Sequence, residues 1–450
     1  MSDTPSQALT IIILAAGSGT RMKSSLPKVL HPIAHLPMIG HVLATAKSLK
    51  PAQIIVVVGT DEGAKAIREY VTDCDIAVQE KPLGTGHAVR AALPAIKNKN
   101  GRILVLYGDG PLYTKTTLQS HLATLDTGKG NALSFLGMRA VNPHGYGRMI
   151  LDHNGHLVRI VEEREATDEE RTIDLCWSGV MCAKGTSFSA WVSAIKNENS
   201  KGEYYLTSLP EIAHSDNVET HISLCAEVES LGANTRAELS ALEAKYQARK
   251  RIEVMESGVT IQAPETVFFS HDTQIGEDCV IEPHVVFGPN VSVGAGSTIK
   301  AFSHLEGARL GKETVIGPYA RLRPGAELGD QVKIGNFVEV KNAKMGTGSK
   351  ANHLAYIGDA KVGAGANIGA GTITCNYDGF KKHLTEIGEG SFIGSNSTLV
   401  APVAIGNGAY VAAGSVITEG VPDDALAVAR NRPILKDGWA AKQRAAKSTK

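Results

Sequence analysis

Two widely separated groups of residues have types and spacings suited to chemistry. The first lies in LAAGSGTRMKSSLPKVL, residues 14–30. After Leu14, the residues Ala15, Ala16 and Gly17 carry almost no side chain, so backbone N–H groups there can approach a ligand closely. Gly19 can take positive φ at no steric cost. Arg21 and Lys28 follow as cations, with Pro27 stiffening the chain between them. Bare amides with flexible cations suit a phosphate chain, although a tight strand-to-helix turn has similar glycine content. Asp109, in LYGDGPL, ends an apolar run. A carboxylate there can hold Mg2+ together with substrate phosphates, and it can equally cap the turn made by Gly110 and Pro111. GTGHAV at 84–89 is a second bare turn entering a helix, suited to reading a base through backbone groups, or simply a helix start. Glu162 and Asn234 are polar residues beside apolar runs.

The second group lies in VEVKNAKMGTGSKANHLAYIGD, residues 338–359, which contains Glu339, Lys341, His353 and Tyr356. An imidazole near a carboxylate can serve as general base because it titrates near neutral pH; a lone histidine is more often structural. NYDG at 376–379 adds Asn376, Tyr377 and a turn.

Different elements must position the two groups. TIIIL (10–14), QIIVVVG (53–59) and GRILVLYGD (101–109) read as strands buried on both faces. Helical patterns near 37–49, 61–71 and 86–97 alternate with them. The alternation predicts a doubly wound, mainly parallel α/β sheet, whose ligands sit beyond the carboxyl ends of the strands. Residues 235–256 read as one helix, with Thr235 and Glu238 as a capping box, Leu239, Leu242 and Tyr246 on one face, and Gly258 as its stop. Only 20 of the 47 glycines precede residue 257. Beyond it an apolar residue recurs every six positions: Ile275, Ile281, Phe287, Val293, Ile299, Leu305; then Leu310 to Val340; Val362 and Ile368; and Ile387 to Ile417. This is the pattern of a parallel β-helix with about eight coils of three hexapeptides. Interruptions at 345–357 and 369–386 are candidates for projecting insertions that carry a site.

Charges balance, 46 basic against 46 acidic, so nothing steers the whole chain towards nucleic acid. The six cysteines form no C-x-x-C pair and lie at no zinc spacing, which suits free thiols in a reducing compartment. No run of 18 apolar residues is present, so no membrane span is expected, and the beginning of the chain does not read as a signal peptide. A cytoplasmic location is expected.

The motifs LAAGSGTRMKSSLPKVLH, GTGHA, YGD, GYGR (145–148) and GEYYLT (202–207) resemble sugar-1-phosphate nucleotidylyltransferases. RLRPGAEL (321–328), GNFVEVK (335–341), NHLAYIGDA (352–360) and NIGAGTITCNYDG (367–379) resemble a sugar N-acetyltransferase on a left-handed β-helix. Both sets in this order resemble the bacterial bifunctional N-acetylglucosamine-1-phosphate uridylyltransferase/glucosamine-1-phosphate N-acetyltransferases, over nearly the whole chain. The resemblance implies an α/β uridylyltransferase domain at 1–235, a helical linker at 236–256 and a left-handed β-helix acetyltransferase domain at 257–450. It implies acetyl transfer from acetyl-CoA to glucosamine-1-phosphate, then uridylyl transfer from UTP to N-acetylglucosamine-1-phosphate. The product, UDP-N-acetylglucosamine, would feed peptidoglycan and lipopolysaccharide synthesis. By the same resemblance Asp109 and Asn234 hold Mg2+, and Arg21 and Lys28 bind phosphates. Leu14, Ala15, Ala16, Gly17, Gln79, Gly84, Thr85, Tyr107 and Gly108 contact the uridine nucleotide, and Gly147 and Glu162 the sugar. His353 is the acetyltransferase base with Glu339 as its orienting partner; Arg323, Lys341, Tyr356 and Asn367 bind sugar phosphate. Ala370, Asn376, Tyr377, Ser395, Ala413 and Arg430 line the acetyl-CoA side, between neighbours of a homotrimer. The chain departs from the family pattern at Gly110, at Ser208 and at Trp177, where asparagine is usual; by the resemblance Trp177 would face the sugar, and its other reading is a packing residue turned into the core beside Cys176 and Val180. Two rivals compete with this reading. One is a single-function nucleotidylyltransferase with a structural β-helix, against which His353, Asn376 and Tyr377 speak. The other is a non-catalytic scaffold, against which Arg21, Lys28 and Asp109 speak.

Overall fold

The computed structural model describes residues 8–17, 19–126 and 132–447; Ser18 of the opening motif and the outermost residues of both expected domains lie outside these. The chain forms two compact units, Met1–Gln247 and Ala248–Lys450.

In the first unit the run Ile11–Ile13 is fully buried, because the sheet is covered on both faces. Along the strands, alternate residues supply the two cores. Ile12, Ile55 and Val57 pack with Val89, Phe188 and Trp191 on one side. Ile11, Ile13, Val56 and Val58 pack with Ile39, Val42 and Leu118 on the other. The sheet order is Thr220–Leu224, Ala132–Arg139, Leu175–Lys184, Arg102–Tyr107, Leu9–Leu14, Gln53–Val58, Asp75–Val78. The last four strands are parallel neighbours. Leu175–Lys184 runs antiparallel to both strands beside it, and a hairpin of Arg148–Leu151 and Leu157–Val161 joins its end, so the sheet as a whole is mixed. Leu14 lies in register with Tyr107, and the Gly108 N–H donates to the Leu14 carbonyl at 2.9 Å. The two candidate loops, Ala15–Gly17 and Gly108–Gly110, therefore leave the sheet side by side.

The helix Arg236–Glu256 begins with a shifted capping arrangement. The Glu238 N–H donates to Thr235 Oγ1 at 3.2 Å, while the Glu238 carboxylate accepts from the Asn234 N–H at 2.7 Å. The reciprocal bond thus goes to Asn234 rather than to Thr235, and it anchors a candidate site residue. Leu242 and Tyr246 are buried against Ile33, Met38 and Leu112.

The second unit is a parallel β-helix. One ladder has ten strands, from Thr260–Ile261 to Leu426–Ala427. Its inward residues are Ile281, Ile299, Ile316, Ile334, Ala351, Ile368, Ile393 and Val411 in successive register. All are almost fully buried. This exceeds the eight coils read from the repeat, because the rungs Thr260–Ile261 and Leu426–Ala427 lie beyond the span, Ile275 to Ile417, over which the period was read. The stretch 345–357 is not an insertion: Ala351 and Ile357 fill inward positions and the coil runs through. The interruption at 369–386 does project. Thr374 takes the inward position, buried, and Ala360 next pairs with Thr385, leaving a small hairpin closed by a bridge between Tyr377 and Lys382.

Candidate active sites

The carboxyl ends of the parallel strands open into a cavity of about 550 Å3. Leu14, Ala15, Ala16, Gly17, Lys28, Gln79, Gly84, Thr85, Tyr107, Asp109, Glu162 and Asn234 line it, brought together from five stretches of sequence. Gly84 has φ +101°, and a Cβ there would stand 2.6 Å from the Tyr204 carbonyl oxygen, so only glycine lets this turn pack against GEYYLT. Gln79 Nε2 donates to the Gly84 carbonyl at 3.1 Å, and Thr85 Oγ1 accepts from the Leu206 N–H at 3.2 Å. The 84–89 turn is thus fastened to the GEYYLT segment.

Lys28 Nζ bonds both Asp109 Oδ2 and Asn234 Oδ1, the latter at 3.1 Å. These are the two oxygen donors that the resemblance assigns to Mg2+. One carboxylate and one amide oxygen beside an open cavity fit a Mg2+ ion that takes its remaining ligands from substrate phosphate and water. Among the described residues no cluster of three or more His, Cys, Asp or Glu side chains could hold a metal by itself. Glu162 accepts a hydrogen bond from Thr207 Oγ1 at 3.1 Å, and burial pushes its carboxyl above the usual carboxylate range.

Three of the expected residues do not line the cavity. Arg21 is exposed on the turn Thr20–Met22. Gly108 supports the strand ends from behind, where a Cβ would stand 3.1 Å from the Leu14 carbonyl oxygen. Gly147 accepts the Trp177 backbone N–H at 2.9 Å and lies against Ile160. Trp177 does line the cavity, but only 8% of it is exposed, and its indole N–H donates to the Val180 carbonyl at 2.9 Å. Its ring meets Tyr107 and Phe135 edge-on, with centroids 6.0 and 5.7 Å away. Its only donor is therefore already used, and it presents an apolar wall. Sequence reasoning missed Lys201, Glu203 and Tyr205, which also line the cavity. The GEYYLT motif pointed at this segment without separating ligand-facing residues from packing residues.

In the β-helix the partner of His353 corrects the sequence expectation. Its Nδ1 lies 2.6 Å from Asn336 Oδ1, its register neighbour one coil back. Glu339 bonds Arg323 Nη1 at 2.8 Å instead. The physical reason is the corner of the coil: Asn336 and His353 belong to one ladder, Glu339 and Tyr356 to the next. With Asn336 Oδ1 accepting from Nδ1–H, Nε2 carries the lone pair a base needs. On Glu339's ladder Arg323, Lys341, Tyr356 and the projecting hairpin gather. Asn376 Nδ2 donates to Asp359 Oδ2 and reaches the Tyr356 hydroxyl at 3.5 Å. Lys382, also missed from sequence, lies beside Lys341, and a side-chain hydrogen bond between the two amines, followed by their charge repulsion, holds Lys341 below the usual lysine range. Asn367 is not in this cluster; it pairs with Lys350 on the ladder of His353.

Ala370, Ser395 and Ala413 continue the His353 column. The His353, Ala370 and Ser395 carbonyls accept from Gly371, Asn396 and Gly414 N–H in turn. Small residues thus follow His353 in successive coils. Beyond Gly414 lies Arg430, whose Cδ would be 4.0 Å from a Cβ placed there. Tyr377 is exposed on the hairpin, its hydroxyl donating to the Gly379 carbonyl at 2.5 Å.

Fold and sites together define a class: a nucleotidyltransferase α/β unit followed by a hexapeptide-repeat transferase unit. Comparison with known proteins agrees. Residues 11–169 match the MobA-like NTP transferase domain, and residues 272–307, 307–342 and 384–419 match the bacterial transferase hexapeptide repeat. The chain is 50% identical over 446 residues to the bifunctional protein GlmU of Paramagnetospirillum magneticum, covering 99% of this chain and 98% of that one. It is 48% identical to the GlmU proteins of Jannaschia sp. over 447 residues (99% and 97% covered) and of Zymomonas mobilis over 452 residues (99% and 100%). The chain belongs to the GlmU family. It is a bifunctional uridylyltransferase and acetyltransferase that makes UDP-N-acetylglucosamine. No helix among the described residues is long and apolar enough to cross a membrane.

Proposed function

We propose that the two reactions are divided between the units, uridylyl transfer in 1–235 and acetyl transfer in 257–450, with 236–256 as linker. The observation that carries this reading is the convergence of Lys28, Asp109 and Asn234 on one cavity whose walls are the glycine-rich turns. There the phosphate oxygen of N-acetylglucosamine-1-phosphate attacks the α-phosphorus of UTP in line, and pyrophosphate leaves. Ala15–Gly17 and Lys28 hold the phosphate chain, Gln79, Gly84 and Thr85 read the base, and Glu162 orients the sugar. Catalysis is mainly positioning and charge neutralisation. Asp109 and Asn234 would hold Mg2+, which supplies neutralisation of the phosphate oxygens.

In the β-helix the amine of glucosamine-1-phosphate attacks the thioester carbonyl of acetyl-CoA. His353 Nε2 takes the amine proton, Asn336 fixes the tautomer, and coenzyme A leaves as thiol. Arg323, Lys341 and Tyr356 bind the sugar phosphate, and the column Ala370, Ser395, Ala413 with Arg430 seats coenzyme A. Asn367 lies on a different ladder from Arg323 and Lys341, which supports a site shared between copies of the chain, as in a homotrimer. The test is one purified preparation given glucosamine-1-phosphate, acetyl-CoA, UTP and Mg2+. Free thiol should appear without UTP, and pyrophosphate only when acetylated sugar is present. Release of one product but never the other would overturn the division of labour.

A further inference from the structure

Both bonds of the Lys28 ammonium go to the oxygens that the proposed Mg2+ ion would need, Asp109 Oδ2 and Asn234 Oδ1. The pair is partly withdrawn from solvent, with side chains of Lys28 and Asp109 15% and 20% exposed. Among the described residues no cluster of three or more His, Cys, Asp or Glu side chains could hold the ion by itself, so Asp109 and Asn234 are the two donors on which the metal reading rests. A small divalent cation that dehydrates reluctantly is poorly held by two protein oxygens, and more poorly when an ammonium already occupies them. The Lys28 backbone is fixed in the turn Lys28–Leu30, whose Val29 and Leu30 are buried. Its stem packs on Gly19, where a Cβ would approach the Lys28 Cβ to 2.6 Å. Only the flexible end of the side chain is free to move.

We propose that Lys28 is a tethered stand-in for the metal. In the nucleotide-free enzyme its ammonium holds Asp109 and Asn234 together and keeps divalent cations out. It moves onto the phosphate chain when metal and nucleotide arrive together. This rests on the reading of Asp109 and Asn234 as metal ligands. Lys28 is thus a positioning residue for Asp109 and Asn234 as well as a phosphate ligand once nucleotide is bound. Metal and nucleotide binding are coupled through it.

The test is Mn2+ binding to the full chain, followed by the paramagnetic resonance signal of free Mn2+, with and without UTP. Without UTP, Lys28→Met should bind one Mn2+ at least tenfold more tightly than the wild type, and adding Asp109→Ala should abolish that site. The same variant should bind UTP more weakly by calorimetry. Lys28→Arg, which keeps the charge, should leave nucleotide-free binding weak, and Lys28→Ala replaces the Met variant if that one lacks a cooperative thermal transition. Unchanged or weaker Mn2+ affinity in the neutral variants overturns the proposal. So does a wild type that binds Mn2+ equally well with and without UTP. Absence of Mn2+ binding in every protein even with UTP overturns the ligand reading itself, and this proposal with it.

Discussion

His353 and Asn336 form a base and an orienting amide, and the pair can be separated by substitution. His353→Ala should reduce acetyl transfer by about 10²–10⁴-fold and leave pyrophosphate release unchanged; thiol and pyrophosphate assays on one preparation check both. Asn336→Ala should lower kcat for acetyl transfer with little change in KM, and Asn336→Asp, which keeps the acceptor, should restore it. Equal loss in both variants would mean that Asn336 acts through packing. Glu162 carries a cost of another kind. Burial raises its pKa above the ordinary 4.5, with the Thr207 hydrogen bond opposing. A raised carboxyl favours the folded state where it is protonated, and that advantage is lost as pH rises through its folded pKa. Glu162→Gln should therefore raise the melting temperature at pH 8, with the gain vanishing towards pH 4.5, while the KM for N-acetylglucosamine-1-phosphate rises. Of the two sequence readings of Trp177, pocket-facing and core-packing, its ring follows mainly the second. Trp177→Asn should cost about 3–5 kcal/mol of stability in urea unfolding, as expected for emptying a large aromatic site. A loss under 1 kcal/mol would place the ring outside the core.

Elements set what each of these residues can reach. Parallel strands deliver Leu14 and Tyr107 to the same edge, and the following loops inherit that adjacency. The hexapeptide coil does the equivalent by stacking, since a residue at a given position meets its counterpart one coil later. The projecting hairpin has its own fastening. Asp378 accepts the Phe380 and Lys381 N–H groups at 2.8 and 2.6 Å and pairs with His383 at 2.7 Å. Those backbone bonds, led by Lys381, hold its carboxyl down to about 2. A depressed carboxyl supports the hairpin above its unfolded value of 3.8, and that support is lost as pH falls towards 2. Asp378→Ala should loosen the segment carrying Asn376, Tyr377 and Lys382. A severalfold higher KM for acetyl-CoA and faster amide exchange at 376–384 are expected, with uridylyl transfer untouched. Unaltered exchange would show that the hairpin is held by other bonds.

At the scale of the whole chain, each unit has its own core. The β-helix core runs from Val254 to Val421, and the α/β cores draw only on earlier residues. A fragment from residue 257 onwards should fold, acetylate glucosamine-1-phosphate and associate as a trimer by light scattering. A fully active monomer would remove the case for a shared site. The units differ in how plainly the sequence declared them. A period of six leaves most inward positions visible as aliphatic residues, so most of the helix was legible. Ala351 and Thr374 escaped, since a small or polar inward residue breaks the pattern without breaking the coil. In the α/β unit the buried runs marked strands, but no periodicity announces that Leu175–Lys184 runs antiparallel to its neighbours.

The sequence alone determined the two architectures, the glycine-rich turns at strand ends and the chemical types at each site, because burial and backbone freedom are properties of local pattern. Only the tertiary structure decided partnerships. It gave His353 to Asn336 and Glu339 to Arg323, since a corner of the coil falls between them. It spent the Trp177 indole N–H on Val180, and it set the Lys28 ammonium between Asp109 and Asn234. A hydrogen bond extends about 3 Å, and which groups come that close depends on how distant segments pack.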